Sequence, residues 1–186
     1  MTDADKSTYK QLVYPALGAC QEVHKHLGPF LNEYMYQDAL AIELSLHNIP
    51  FDKEYQFTAD YKGHTIEHRH FADFRIIVQQ GPQRKPNEVF AMGRAGSNRA
   101  HWAKNSEYSL PKRNFGTCTE NSSREDTPIL IECKAVDNLT DAHRQQLWNY
   151  MRLTGIQYGV LYNFAPVYAQ CEKYHYDPQT FKMVAF

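Results

Sequence analysis

Residues Ile129–Val136 read Ile-Leu-Ile-Glu-Cys-Lys-Ala-Val, an apolar run that two charged residues interrupt. The β-branched and apolar residues of this run predict a strand. Because side chains alternate between the two faces of a strand, Glu132 and Lys134 share one face and Cys133 lies on the other. Burying a charge is costly unless the charge is paired or binds an ion. The stretch therefore predicts either an edge strand with a weak, exposed ion pair or half of a metal-dependent hydrolase site.

The composition is that of an ordinary globular protein. The chain has 186 residues, which predicts a single domain over residues 1–186 with its own core. No apolar run approaches the roughly 20 residues of a membrane span, and the N-terminus lacks signal-peptide character. The four cysteines form no C-x-x-C pair, so a disulfide framework or zinc ribbon is disfavoured and a cytoplasmic protein is predicted. With a net charge of −1, a nucleic-acid partner would have to be met by a local basic patch.

Two helices are predicted before the first strand. Apolar residues recur at helical spacing from about Tyr9 to Leu27, Gly28-Pro29 interrupts the pattern, and a second helix is predicted over 31–47. Glu33 falls on or near the apolar stripe of this second helix. It is either a first-turn acid that the helix dipole favours or a residue of a functional site.

A hairpin follows, and its second strand contains an acid. Strands are predicted over 54–61 and 64–78, with Lys62-Gly63 as the turn. Asp73 is a poor strand former inside an otherwise apolar stretch. It could cap a bend, pair with Arg75, or act with Glu132 as the second acid of a site.

Residues 79–128 show little sustained periodicity and are rich in glycine and proline. Between Gly81 and Arg113 there are seven basic and two acidic residues, which gives this part a net charge of +5. The segment is too long for an ordinary connection. It is interpreted either as a solvated excursion or as a basic flap over a phosphate backbone, with Trp102 and Tyr108 available for stacking.

The last third predicts a helix, a core strand and a peripheral hairpin. Thr140 is a suitable N-cap for a helix over 141–154, Gly155 ends that helix, and Gln146 lies on its stripe. A core strand is predicted over 156–164, and a hairpin over 168–176 and 181–186. If Asp73 and Glu132 lie at matching depth on adjacent strands, they can hold magnesium, which prefers carboxylates and waters. Such an ion supplies a hydroxide-like nucleophile, and a nearby lysine can orient or help deprotonate the water.

The sequence resembles the PD-(D/E)XK nuclease superfamily and, more narrowly, its GxxExxY family. The matching text covers about 13–78 and 129–164. Its segments are Val23–Pro29, Glu33 with Tyr36, Ala39-Leu40 with Glu43-Leu44, Tyr61–Gly63, Ala72–Phe74, Ile131–Val136, His143, Gln146-Leu147, Asn149-Tyr150, Thr154-Gly155, Gly159 and Asn163-Phe164. Three departures stand out: Phe30 where the name motif begins with glycine, Cys133 where an aliphatic residue is usual, and the long 79–128 segment.

The resemblance implies an α/β fold of the α+β, mixed-sheet kind. This is a restriction-endonuclease-like αβββαβ core, with a four-stranded mixed sheet flanked by helices and an insertion at 79–128. It also implies a magnesium site, with manganese as a second option. The implied ligands are the side chains of Asp73 and Glu132 and the main-chain carbonyl of Cys133.

The resemblance further implies a set of catalytic residues: Asp73, Glu132, Lys134, Glu33 and Gln146. Lys134 matches the catalytic lysine, Glu33 the acid of the name motif, and Gln146 a polar residue that faces the site. The expected partner is nucleic acid, with DNA as the first expectation, there is no membrane partner, and a homodimer is left open.

Other interpretations remain at this stage. His64, His68 and His70, with His24 or His26, could suggest zinc, although solvated or core histidines explain them more simply. The scaffold could serve as a catalytically silent module that binds nucleic acid or protein. It could also belong to a structural or interaction protein in which Glu132 and Lys134 merely pair.

Overall fold

The charged strand lies inside the sheet and not at its edge. The structure is a computed structural model that describes residues 3–79 and 126–185. In it, β3 (Asp126–Lys134) pairs antiparallel with β2 (His64–Gln79) and parallel with β4 (Tyr158–Asn163). Glu132 has no exposed surface. The interpretation of an edge strand with an exposed ion pair is therefore wrong.

The described ranges contain three helices and six strands. In chain order they are α1 (Asp3–Leu27), α2 (Glu33–Leu46), β1 (Phe51–Tyr61), β2, β3, α3 (Asp141–Thr154), β4, β5 (Gln170–Asp177) and β6 (Lys182–Ala185). None of the described helices is long and apolar enough to span a membrane. The element types and their order agree with the sequence prediction, whereas the first helix and the first strand begin earlier than predicted.

The strands of the described residues form one mixed sheet in the order β1-β2-β3-β4-β5-β6. Only the β3–β4 pair is parallel, with α3 in the crossover between them. The predicted four-stranded sheet is wrong, because the C-terminal hairpin, predicted as peripheral, extends the same sheet to six strands. Pairing with β5 satisfies the backbone groups that β4 would otherwise expose as an edge.

The predicted insertion at 79–128 falls almost wholly on residues 80–125, which lie outside the described residues. The basic flap, Trp102 and Tyr108 lie there too. The interpretation of 1–186 as a single domain consequently stays a prediction.

The alternation predicted for β3 divides its side chains between two hydrophobic cores. Ile131 and Cys133 join a cluster with residues of α1 and α2. Leu130 joins a second cluster with Leu147 and Met151 of α3. Glu132 and Lys134 follow Leu130 at two-residue steps, as the period of a strand requires.

Candidate active site

Asp73 lies at the point in β2 where successive side chains change from one face of the sheet to the other. Phe74 packs into the core cluster with α1 and α2, whereas Ala72, two residues earlier on the same strand, packs into the cluster with α3. A regular strand would send both side chains to one face. Glu54, which lies between the partners of Phe74 and Ala72 on β1, has a left-handed φ of 53°. Asp73 thus lies opposite this irregularity of β1, between a residue of the first core and a residue of the second.

The Asp73 carboxylate is tied to β3 at the position next to Glu132. Its Oδ2 accepts a hydrogen bond of 2.8 Å from the backbone N–H of Cys133. The regular β2–β3 ladder ends one step earlier, at the Phe74–Ile131 pair. The Asp73 side chain therefore makes a hydrogen bond to β3 just beyond the last backbone pair of the two strands. This bond holds the Asp73 carboxyl group near that of Glu132.

Glu132 and Lys134 form the buried centre of the site. Lys134 Nζ donates to Glu132 Oε2 at 3.3 Å. Glu132 is fully buried and Lys134 is 8% exposed. The other carboxyl oxygen of Glu132, Oε1, has no hydrogen-bond partner, and an orphaned buried oxygen of this kind calls for an explanation.

The first turn of α2 brings a third acid to the lysine. Glu33 Oε1 lies 3.9 Å from Lys134 Nζ. One turn later, Gln37 Nε2 donates to Glu33 Oε1 at 3.5 Å, and a hydrogen bond from Gln37 to Asp73 lowers the pKa of Asp73. Sequence reasoning missed Gln37. The available signal was its position four residues after Glu33, on the same helix face.

Burial and mutual repulsion shift the pKa values of these groups. Burial, followed by the negative charge of Asp73, raises the pKa of Glu132 to about 8. Burial also raises the pKa of Asp73, against the lowering effect of Lys134. Burial alone would lower the pKa of Lys134, but the surrounding carboxyl groups outweigh it and raise that pKa. Both acids therefore hold a proton more readily than ordinary carboxyl groups do, and the lysine holds its proton more firmly than usual.

Asp73 and Glu132 fit a divalent cation. The half-buried carboxyl group of Asp73 and the fully buried one of Glu132 repel each other and share the single charge of Lys134, and Glu132 Oε1 accepts no hydrogen bond. Among the described residues, no three His, Cys, Asp or Glu side chains are grouped so that they could hold a metal ion by themselves. Magnesium, however, is usually held by one or two carboxylates, with waters and substrate oxygens completing its coordination.

The carboxyl end of β3 is fixed by its neighbours. The N–H of Phe164 donates to the Lys134 carbonyl at 2.8 Å. The side chain of Asn163 accepts from the Val136 N–H at 3.0 Å and donates to the Val136 carbonyl at 2.7 Å. These bonds hold the backbone around Lys134, and with it the Cys133 carbonyl, whose role as a ligand stays a prediction.

Gln146 lies outside this group of contacts. Its Nε2 donates to the Tyr150 hydroxyl at 3.3 Å, and within the described ranges no hydrogen bond joins it to the acids. It lines a groove of about 540 Å³ together with other residues of α3 and His70. The structure therefore brings together Asp73, Glu132, Lys134 and Glu33, and places Gln146 on a groove wall.

The histidine alternative finds no support in the described part of the chain. His68 and His70 meet edge to face, with ring centroids 4.9 Å apart, and His70 stacks on Phe57. His24 Nε2 lies 2.9 Å from the Pro166 carbonyl oxygen. No zinc-type group of His, Cys, Asp or Glu is present there.

The alternative that Asp73 pairs with Arg75 is also unsupported. Arg75 pairs with Asp52, and the Asp73 carboxyl group instead accepts from the Cys133 N–H.

Comparison with known proteins identifies one family. The model of the PD-(D/E)XK nuclease superfamily matches residues 10–80 and 123–174, about two thirds of the chain. The matched segments contain all the acids of the site, Lys134 and Gln146. No curated protein and no solved structure matches the chain.

Proposed function

The chain belongs to the PD-(D/E)XK nuclease superfamily, and we propose that it is a metal-dependent nuclease that hydrolyses phosphodiester bonds, with DNA as the first substrate to test. The observation that carries the proposal is the group formed by half-buried Asp73 and buried Glu132 and Lys134, in which the fully buried oxygen Glu132 Oε1 lacks a hydrogen-bond partner. Structural ion pairs normally satisfy their buried oxygens. A site that binds a cation and a phosphate leaves them available.

We further propose that the chain is a member of the GxxExxY family. The tyrosine of the name motif, Tyr36, donates to the Gly28 carbonyl at 2.7 Å and accepts from the Leu31 N–H at 3.1 Å. Its ring stacks on Phe164 with centroids 4.7 Å apart. Tyr36 thus braces the loop before α2, and α2 presents Glu33 to Lys134. These contacts give both residues of the motif a physical role.

Asp73 and Glu132 would hold the metal ion, with the Cys133 carbonyl as the proposed third protein ligand. A bound magnesium ion lowers the pKa of water and offsets the negative charge that develops on an attacked phosphate. Burial of Glu132 strengthens its interaction with any cation, because water screens it little. Gln37 would act as a positioning residue, since it donates to the Asp73 carboxylate and to Glu33.

Lys134 would act as a cation in the reaction, and Glu33 would hold the attacking water. The raised pKa of Lys134 keeps its ammonium protonated among the carboxyl groups, so it can donate to a phosphate oxygen. Glu33 is partly exposed and can accept a hydrogen bond from water. In the hydrolysis, the water oxygen forms a bond to phosphorus and the bond to the leaving oxygen breaks. One water proton passes to solvent through Glu33, and the leaving oxygen takes up a proton.

The test compares the wild-type protein with Lys134→Ala on single- and double-stranded DNA and RNA. With magnesium or manganese, the wild type should cut at least one substrate, and Lys134→Ala should be slower by roughly 10²–10³-fold, the range for loss of one donor that stabilises developing charge. Lys182→Ala is the matched control, because Lys182 lies on β6, at the edge of the sheet and three strands away from β3. It should cut like the wild type.

A thermal unfolding curve of each variant shows whether the protein is still folded at the assay temperature. This separates loss of catalysis from loss of folding. No detectable cutting by any of the three folded proteins on any substrate, with either metal, would overturn the proposal. The alternative, a catalytically silent binding module, would then be left. Salt-dependent oligonucleotide binding that does not respond to metal would support that alternative.

A further inference from the structure

Phe30 is an exposed aromatic residue held in an unfavourable backbone conformation. Its φ is 69°, in the left-handed region that glycine adopts readily and other residues rarely do. Its side chain is 75% exposed, so packing does not account for the choice of phenylalanine. The name motif of the resembled family has glycine at this position. A residue that is strained without a packing reason points to function.

Further exposed residues belong to the same surface, which we call the aromatic patch and define as Phe30, Tyr34, Val167 and Tyr168. Tyr168 is 88% exposed, and Tyr34 and Val167 are each about 60% exposed. The N–H of Phe30 donates to the Ala165 carbonyl at 3.2 Å. This bond joins the loop before α2 to the loop after β4, so the residues of the two loops lie on one surface.

Both loops of the aromatic patch are anchored at the candidate active site. The loop with Phe30 leads directly into Glu33, whose carboxylate lies 3.9 Å from Lys134 Nζ. The other loop begins after Phe164, whose N–H donates to the Lys134 carbonyl at 2.8 Å. Tyr36 links them, since it braces Gly28 and Leu31 and stacks on Phe164. The patch therefore lies beside the Lys134 end of β3, where one substrate strand can contact both.

Side chains beside the patch can donate hydrogen bonds to a phosphate backbone, although Lys25 pairs with Glu22 and adds no net charge there. The last turn of α1 carries His24, Lys25 and His26 just before the Phe30 loop. Lys25 and His26 are well exposed and share one partner, Glu22. His24 lies against the loop after β4, 2.9 Å from the Pro166 carbonyl oxygen. Exposed aromatic rings are the platforms on which the bases of single-stranded nucleic acid stack, and it is these rings that carry the inference.

We propose that the aromatic patch is a stacking surface for unpaired bases, and that the protein therefore prefers single-stranded nucleic acid or single-stranded ends. This inference rests on the proposed function. Base faces are available to a protein side chain only when the bases are unstacked, and an exposed ring next to the site would hold one such base. Phe30 would supply one ring, in the loop that leads into Glu33, and Tyr168 a second ring, in the loop that the Phe30–Ala165 hydrogen bond joins to it.

The test measures binding of a fluorescent oligothymidine and of a duplex of equal length, in EDTA so that metal-dependent cutting cannot occur. Phe30→Ala and Phe30→Gly should each weaken oligothymidine binding by about tenfold, within the range for loss of one base–aromatic stack. Phe30→Trp should restore it, and duplex binding should change little. Tyr14→Ala is the control, because Tyr14 is an exposed aromatic residue on α1 about 20 Å from its C-terminal end.

The glycine variant separates stacking from folding. Glycine relieves the left-handed strain at position 30 and alanine does not, so Phe30→Gly should melt higher than Phe30→Ala. If stacking matters, both variants lose binding equally despite this difference. The proposal is overturned if both bind like the wild type, if binding follows the melting temperature, or if duplex binding falls as much. It is also overturned if Phe30→Ala only converts a dimer into a monomer, since the patch would then be an interface between copies.

Because binding is measured without metal, its failure is distinct from failure of the cutting test. Cutting by the wild type with unchanged binding by Phe30→Ala would leave the nuclease and remove the stacking surface. Ring-dependent binding without any cutting would leave a silent single-strand-binding module.

Discussion

The Glu132 carboxyl group is buried beside a second acid, and this determines how the metal-free protein responds to pH. Its pKa is raised from 4.5 to about 8 in the folded protein. The unfolded chain therefore releases this proton near pH 4.5, while the folded chain keeps it up to about pH 8. The stabilising contribution is complete below pH 4.5 and is lost as the pH rises through 8.

We expect Glu132→Gln to remove this pH dependence. In EDTA, the free energy of unfolding of the wild type should fall by a few kcal/mol more than that of the variant between about pH 5 and 8, at about 1.4 kcal/mol per pKa unit. Denaturant unfolding of both proteins across this range measures the difference. Parallel curves for the two proteins would contradict a raised pKa at this position.

Single residues also show what the sequence could and could not predict. The side chains of Glu132 and Lys134 meet as the two-residue period of a strand requires, and that period is a local property. Gln37 was not predicted, because a glutamine one turn after a first-turn acid is unremarkable until the strand carrying Asp73 packs against it. The pKa values likewise depend on burial and on neighbours distant in sequence.

At the scale of elements, close packing of α3 on β4 keeps the helix in place. A Cβ atom added to Gly159 on β4 would lie 2.5 Å from Met151 Sδ and 3.1 Å from Leu147 Cδ1. Both side chains are fully buried, so neither can move freely away. Glycine lets α3, and Gln146 with it, approach the sheet closely.

We expect Gly159→Ala to destabilise the protein by about 1–3 kcal/mol, as overpacking of a core does. Gly18→Ala is the control, because nothing lies within 4 Å of a Cβ at this exposed position of α1. It should leave stability unchanged or raise it by about 0.5–1 kcal/mol. Chemical denaturation of both variants checks this, and equal stability of the two would refute the packing argument.

The elements were predicted as far as their patterns are local. The helix at 141–154 was predicted with its true bounds, since Thr140 and Gly155 mark its ends, and Gly155 has the left-handed φ of 71° expected of a helix stop. The change of face near Asp73 was raised only as one option. A left-handed glutamate at position 54 gives no sequence signal, and strand alternation assumes that it does not occur.

At the scale of the whole molecule, the sheet joins parts of the chain that are distant in sequence, and this limited the prediction. The order of elements followed from the sequence, but the number of strands that join the central sheet did not. A short hairpin reads the same whether it stands apart or pairs with β4. The hairpin joins the sheet because β4 would otherwise have unpaired backbone groups along its outer side. That edge exists only once the sheet has formed, so a local sequence pattern does not reveal it.

The stability of the whole molecule should depend on magnesium through Asp73. An ion that binds only the folded state stabilises it by about 2.7 kcal/mol at one hundred times its Kd, which corresponds to roughly 5–10 °C in Tm. We expect the wild type to show such a rise in a magnesium titration followed by calorimetry, and Asp73→Asn to show none. In EDTA, Asp73→Asn should be at least as stable as the wild type, because the amide oxygen can still accept from the Cys133 N–H while the repulsion with Glu132 is gone.

Asp52→Asn is the matched control, since Asp52 pairs with Arg75 outside the site, and it should keep the response to magnesium. If magnesium shifts the Tm of the wild type and of Asp73→Asn by the same amount, or shifts neither, Asp73 is not a metal ligand and the Asp73–Glu132 pair is a structural feature of the sheet.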